Sequence, residues 1–171
     1  MYGPMNTFVA NQSRSYWLFG LIVAAVVVVL DQGSKWWILE RVMQPIPHVI
    51  EVTSFFNLVL VWNYGVSFGT FASGGALMPY ILSAIAAVIA VCLVIWMRQA
   101  ESRLAALALG FIIGGAVGNV IDRLLHGAVV DFLDFHFGGW HFWAFNVADS
   151  GISVGVVLLL IDGLFADREK S

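Results

Sequence analysis

The chain has 171 residues, of which 60% are hydrophobic and only 11% charged, with a formal net charge of −3; an average soluble domain carries roughly 25% charged residues. Its 8 Lys and Arg and 11 Asp and Glu are too few to cover a soluble globule, and the same composition excludes a disordered chain. A single cysteine, Cys92, excludes an internal disulfide framework and a multi-cysteine zinc site, and the charge balance offers no basic patch for nucleic acid.

These features describe an integral membrane protein with one mainly α domain. In chain order, residues 1–15 are polar, contain Gly3 and Pro4, and are expected to form a disordered cytoplasmic N-terminus. Four apolar stretches then predict spanning helices, over about 16–39, 77–97, 104–125 and 145–165. At about 1.5 Å per residue each reaches about 30 Å, the thickness of the hydrocarbon core. The first has the flavour of a signal peptide, with Arg14 ahead of an apolar run. It lacks a small-residue cleavage site and leads into Asp31-Gln-Gly-Ser-Lys35, so it reads as a retained helix.

Between the first two spans, Pro45 and Pro47 precede β-branched, partly alternating segments. Residues 55–72 are apolar enough to suggest a fifth span, but Asn57, Asn63, Gly65 and Gly69 argue for a small β-sheet on the outer leaflet instead. In the third span Gly110, Gly114 and Gly118 recur every four residues, as do Gly151 and Gly155 in the fourth; such faces predict close packing within the bundle. Residues 166–171 are expected to be a cytoplasmic tail carrying Arg168 and Lys170. Arg14, Arg98, Arg103, Arg168 and Lys170 fall on one side and Lys35, Arg41 and Arg123 on the other. The positive-inside rule then puts both termini in the cytoplasm and residues 40–76 and 126–144 outside.

Ionisable groups in or beside a span are costly and mark function by default. Asp31 and Lys35 end the first span; Asn119, Asp122 and Arg123 end the third; Asn146 and Asp149 begin the fourth; Asp131 and Asp134 lie between the last two. In a four-span topology all of them converge at the outer surface. Helical spacing sharpens this: Asp31 and Lys35 are i,i+4, Asn119 shares a face with Asp122 and Arg123, and Asn146 and Asp149 are i,i+3. Each alone has a plain structural reading. Asp149 could be a helix-start acid, Asp122–Arg123 a pair, and Asp31–Lys35 an interfacial anchor. Their concentration on one side favours a site.

Two carboxylates sharing a site can hydrolyse a peptide without metal or other cofactor. Repulsion keeps one protonated, the ionised one activates water, and the protonated one polarises the scissile carbonyl. The residues alone leave Asp122, Asp131 and Asp134 as near-equal partners for Asp149. Other chemistries fit less well. Ser34 and Lys35 are neighbours and point apart on a helix. Cys92 lies mid-span without an acid or histidine and reads as inert packing. His48, His126, His136 and His141 form no zinc spacing. Trp36, Trp37, Trp140 and Trp143 suit an interfacial belt. A proton- or ion-coupled transporter is the alternative from another class, although its polar groups belong near mid-membrane. A scaffold protein would need none of these acids.

With these residues in view, the chain resembles the bacterial lipoprotein signal peptidases, or signal peptidase II. The resemblance rests on Asp31-Gln-Gly-Ser-Lys35, Asn63-Tyr-Gly-Val-Ser-Phe-Gly69, Gly114-Gly-Ala-Val-Gly-Asn119-Val-Ile-Asp122-Arg123, Val129-Val-Asp131-Phe and Phe145-Asn146-Val-Ala-Asp149, in that order. It implies four transmembrane helices with a small extracytoplasmic β-sheet and a short extracytoplasmic helix, in the bacterial cytoplasmic (inner) membrane. It implies an aspartic endopeptidase, without cofactor, that removes signal peptides from diacylglyceryl-modified prolipoproteins before the lipidated cysteine. By motif the catalytic pair is Asp131 and Asp149, with Asp31, Lys35, Asn63, Gly65, Asn119, Asp122, Arg123 and Asn146 in support or substrate binding. Asp134 becomes a solvated loop acid. The partners are the prolipoprotein and membrane lipid, and the enzyme is expected to act as a monomer. The apolar segments 55–71 and 132–145 are expected to be loops able to close over the substrate.

Overall fold

A computed structural model describes residues 16–45, 48–65 and 77–168. The stretches expected as a disordered N-terminus and as the last residues of the C-terminal tail therefore lie outside it, as do Pro47 and Gly69. Four helices are long and apolar enough to cross a membrane: α1 (Trp17–Trp37), α2 (Met78–Met97), α3 (Arg103–His126) and α4 (Val147–Arg168). A π-helical turn, Ile38–Val42, prolongs α1. Four strands, β1 (Val49–Thr53), β2 (Phe56–Asn63), β3 (Val129–Phe137) and β4 (Trp140–His141), form an antiparallel sheet in the order β1-β2-β3-β4.

The third helix is the hub, packing against α1, α2 and α4. Its apolar window is 56% buried, against 22%, 11% and 17% for those of α1, α2 and α4. Glycine explains how its neighbours approach. A Cβ on Gly110 would lie 2.6 Å from the Gly20 carbonyl oxygen, and one on Gly114 2.7 Å from that of Ala24, so this glycine face receives α1. Of the α4 glycines, Gly155 meets α3 at Ala108 and Ile112, while Gly151 lies between Val27 of α1 and Phe111 of α3. Gly115, outside the four-residue series, faces Ala148. Both predicted faces are packed within the bundle. Cys92 corrects the reading as a packed core residue: it is exposed on the outer side of α2.

Ser102 starts α3 by accepting the Ala105 N–H at 2.8 Å, and Gly127 ends it at φ 72°. Only a residue without Cβ takes that left-handed conformation at little cost, and it turns the chain directly into β3. The sheet thus sits at one end of the bundle. Ile38, Met43 and Phe132 form an apolar cluster beneath it, joined by Leu58, Leu60 and Val147.

The expected sheet from the first outer segment is present as β1 and β2, and it is completed by β3 and β4 from the second. This corrects the picture of residues 132–145 as a closing loop. Val129–Phe137 is a strand paired with β2, and Phe145 bridges back to Leu133. With Phe145 held in that bridge, α4 starts at Val147, two residues after the expected boundary. Among the described residues the outer segments contain no separate α-helix; residues 66–76 lie outside them.

Candidate active site

The polar residues singled out in the sequence converge where the sheet meets the ends of α1, α3 and α4. β2 and β3 place Asn63 beside Asp131: the strands run antiparallel with Val61 opposite Asp131, and the Asn63 amide donates to Asp131 Oδ2 at 3.0 Å. The Asn146 side chain donates to the other oxygen of Asp131 at 2.7 Å. Asp131 is 2% exposed. Burial, and next the charge of Asp149, push its carboxyl up to about 7 against the amides that favour the ionised form.

Asp149 owes its place to the start of α4. Asn146 Oδ1 accepts the Asp149 N–H at 2.9 Å, and Asp149 Oδ2 accepts the Asn146 N–H at 3.3 Å. This is a reciprocal capping box with aspartate in the usual glutamate position. Helix-start acid and site acid are therefore the same residue. The remaining Asp149 oxygen accepts from Asn119 Nδ2 at 2.8 Å, and Asn119 Oδ1 accepts from Asn146 at 3.3 Å. Two asparagines thus connect the two acids, and Asp149 faces a groove beside α4. There Phe142, Trp143, Phe145, Ser150, Ser153 and Val154 line, with Asp149, a cavity of about 470 Å³.

Behind this pair lies a buried ionic group. Lys35 Nζ lies 2.8 Å from Asp31 Oδ2 and 2.8 Å from Asp122 Oδ2, and all three residues are 3% exposed or less. An ion so deeply desolvated persists only where its charge is matched. Asp31 and Asp122 also hold backbone: Asp31 accepts the Ala148 N–H at 2.9 Å and Asp122 the Val130 N–H at 3.0 Å. The close approach of Gly118, where a Cβ would sit 2.5 Å from Asp31 Oδ2, makes room for this carboxylate.

Arg123 donates to the Gly65 carbonyl at 3.0 Å and, less directly, to that of Asn119 at 3.4 Å. Gly65 is in turn tied to Asn63, whose Oδ1 accepts its N–H at 3.1 Å. The guanidinium lies in the field of Asp149, Asp131 and Asp122. Its Nε is buried without a protein acceptor among the described residues.

All ten sequence-selected site residues meet in this one region. Gln32, quoted in a motif but not singled out, also belongs to it, donating to Asp31, Gly118 and Asp122. Its i,i+3 spacing from Lys35 was the available signal. Asp134 requires a correction: it is not solvated but 6% exposed, accepting from Asn57 at 2.9 Å and paired with His141 Nδ1 at 2.9 Å. Register explains this, because Asn57 lies directly opposite Asp134 in the sheet. Among the described residues, no group of three or more His, Cys, Asp or Glu is arranged to hold a metal ion.

Residues 23–165 match the family Signal peptidase (SPase) II. The lipoprotein signal peptidase of Rhodopseudomonas palustris (strain TIE-1) is 47% identical over 149 residues, covering 85% of this chain and 91% of that one. That of Burkholderia vietnamiensis (strain G4 / LMG 22486) is 49% identical over 144 residues, covering 83% and 85%. The fold is similar to a bacterial membrane enzyme structure obtained by the in meso method, with a TM-score of 0.76 at 30% identity over 90% of this chain and 92% of the other.

Proposed function

The chain belongs to the signal peptidase II family, and on that premise we propose that it is an aspartic endopeptidase with Asp131 and Asp149 as its catalytic pair. It removes signal peptides from prolipoproteins. The substrate is the diacylglyceryl-modified form, cut before the lipidated cysteine at the outer face of the bacterial cytoplasmic membrane, with both termini of the enzyme cytoplasmic.

The observation that carries this reading is the Asp131–Asn146–Asn119–Asp149 chain of hydrogen bonds, with the Asp131 carboxyl raised to about 7. Near neutral pH such a pair holds one proton between two carboxyls and titrates as a unit. The ionised member takes a proton from water as the oxygen attacks the scissile carbonyl. The protonated member donates a hydrogen bond to that carbonyl and then its proton to the departing amine. The asparagines fix both carboxyls without neutralising either, and they can follow the proton because an amide offers both donor and acceptor.

Substrate access follows from the same geometry. An apolar signal helix with two acyl chains travels in lipid, and the cavity at Asp149 is lined by Phe142, Phe145 and Val154 on the flank of α4. The scissile bond of a lipidated cysteine lies at the membrane boundary, the depth of the pair.

The test is cleavage of a purified diacylglyceryl prolipoprotein in detergent, without added metal. Asp131→Asn and Asp149→Asn are each expected to abolish product while eluting and melting as folded protein. Activity in both variants would overturn the dyad. Proton movement in liposomes by a wild type that does not cleave would establish the transporter instead.

A further inference from the structure

We infer that Gln32 and Lys35 form a clasp that sets the separation of the two catalytic carboxylates, acting as positioning residues through Asp31 and Asp122. The inference rests on the dyad reading above and adds to it a means by which three helices and a strand hold the pair in register.

The two side chains leave one face of α1 and bridge the same two acids. Lys35 Nζ is 2.8 Å from Asp31 Oδ2 and 2.8 Å from Asp122 Oδ2. Gln32 Nε2 is 3.1 Å from Asp31 Oδ2 and 2.8 Å from Asp122 Oδ1, with a further bond of 3.2 Å to the Gly118 carbonyl. Asp31 stands on α1 and Asp122 on α3, so the bridges join two helices.

Each bridged acid has a second task. Asp31 Oδ1 holds the N–H of Ala148, the residue before Asp149. Asp122 Oδ2 holds the N–H of Val130, the residue before Asp131. The clasp therefore grips the backbone one peptide ahead of each catalytic acid. A displacement between Asp31 and Asp122 passes straight to Asp149 on α4 and Asp131 on β3. Without the clasp the two buried carboxylates would repel each other and separate. Lys35 supplies the charge, and Gln32 supplies directed bonds with no change of charge.

A general structural anchor would affect folding and leave turnover per folded molecule unchanged. A positioning clasp affects kcat, because misplacement of reacting groups by about 1 Å can cost about 100-fold in rate.

The experiment uses the full chain in detergent with the diacylglyceryl prolipoprotein, measuring kcat and KM per folded molecule for Gln32→Met, Lys35→Met and the double variant. Gln32→Met removes the bridge without removing charge and is expected to lower kcat by about tenfold or more, with KM within about twofold of wild type. The double variant is expected to be no slower than Lys35→Met alone within about twofold, because Gln32 acts through the pair of acids that Lys35 also bridges, Lys35 having in addition a bond of 3.3 Å to Asn119 Oδ1. A folded Gln32→Met with wild-type kcat, a loss confined to KM, or losses that multiply in the double variant would overturn the clasp. If Lys35→Met does not fold, Gln32→Met alone decides. Asp131→Asn and Asp149→Asn serve as controls: activity in these sinks the dyad, whereas inactivity in these with a wild-type Gln32→Met sinks only the clasp.

Discussion

Asn146 donates to Asp131 at 2.7 Å while its carbonyl oxygen caps the N–H of Asp149 at 2.9 Å, so one amide side chain holds both acids of the proposed pair. It is fully buried, and Asn119 accepts its second contact at 3.3 Å. Any change to one acid is therefore felt at the other through a single rigid group.

Asp122 supports the site from behind. Asp122→Asn halves the ionic partnership of Lys35 and weakens the bond to the Val130 N–H. Breaking a buried pair on one side costs about 3–5 kcal/mol when the other charge is left uncompensated; here Asp31 remains, so the loss falls below that range. The expected outcome is a lower melting temperature in detergent and lower activity per folded molecule. A stable, fully active variant would show that Asp122 has no supporting role.

Two glycines near the site should respond in opposite directions. Gly118→Ala places a methyl 2.5 Å from Asp31 Oδ2 and must displace that carboxylate from the Ala148 N–H. Gly33, inside α1, has nothing within 4 Å of its missing Cβ. Gly33→Ala should stabilise the helix by about 0.5–1 kcal/mol, the usual gain over glycine in a helix interior. Thermal melts of the two variants in the same micelle check the contrast, and equal shifts would refute it.

The raised Asp131 carboxyl makes stability depend on pH. Its ordinary value is 3.8 and in the fold it stands at about 7, so between these the folded protein binds a proton that the unfolded chain releases. The folded state then binds more protons, and its stability falls as pH rises through that window. Asp131→Asn cannot lose the proton. Its melting temperature relative to wild type should rise steadily from pH 4 to pH 7 and level off above. Parallel profiles for the two proteins would contradict the assignment.

Asp134 should separate stability from catalysis. Its bonds to Asn57 and His141 fasten β2 and β4 to β3, away from the dyad. Asp134→Ala leaves the buried Asn57 Nδ2 without its acceptor, although Asn57 Oδ1 keeps its contact to His136 at 3.3 Å; losing the acceptor costs about 1–3 kcal/mol. The melting temperature should drop by several degrees, while cleavage by the folded fraction continues near wild-type kcat. Complete loss of turnover in folded protein would bring Asp134 back into the site.

Helical spacing made much of the site legible because most of the participating residues sit at helix ends, with Asn63, Gly65 and Asp131 the exceptions. Asp31 and Lys35, or Asn119 and Arg123, share a face at any bundle geometry. What happens between elements followed no local rule. The second half of the sheet carries no strand signature in the sequence, because Val129–Phe132 is buried on every residue in the fold and lacks the alternation that marks a strand with one wet face. The burial of Asp134 likewise has no local signal: it comes from register, which sets Asp134 opposite Asn57.

Composition alone determined the solvent, since so few charges cannot face water, and span length and apolarity then set four helices. Local spacing determined which polar residues share a face. Tertiary structure decided which acid meets which. Asp122, Asp131 and Asp134 are equivalent by residue type and lie within thirteen positions of one another. The fold ties Asp122 to Lys35, Asp131 to the amides of Asn63 and Asn146, and Asp134 to Asn57 and His141. A carboxylate's chemistry is set by the charges and donors within a few ångströms, and those come from segments far apart in the chain.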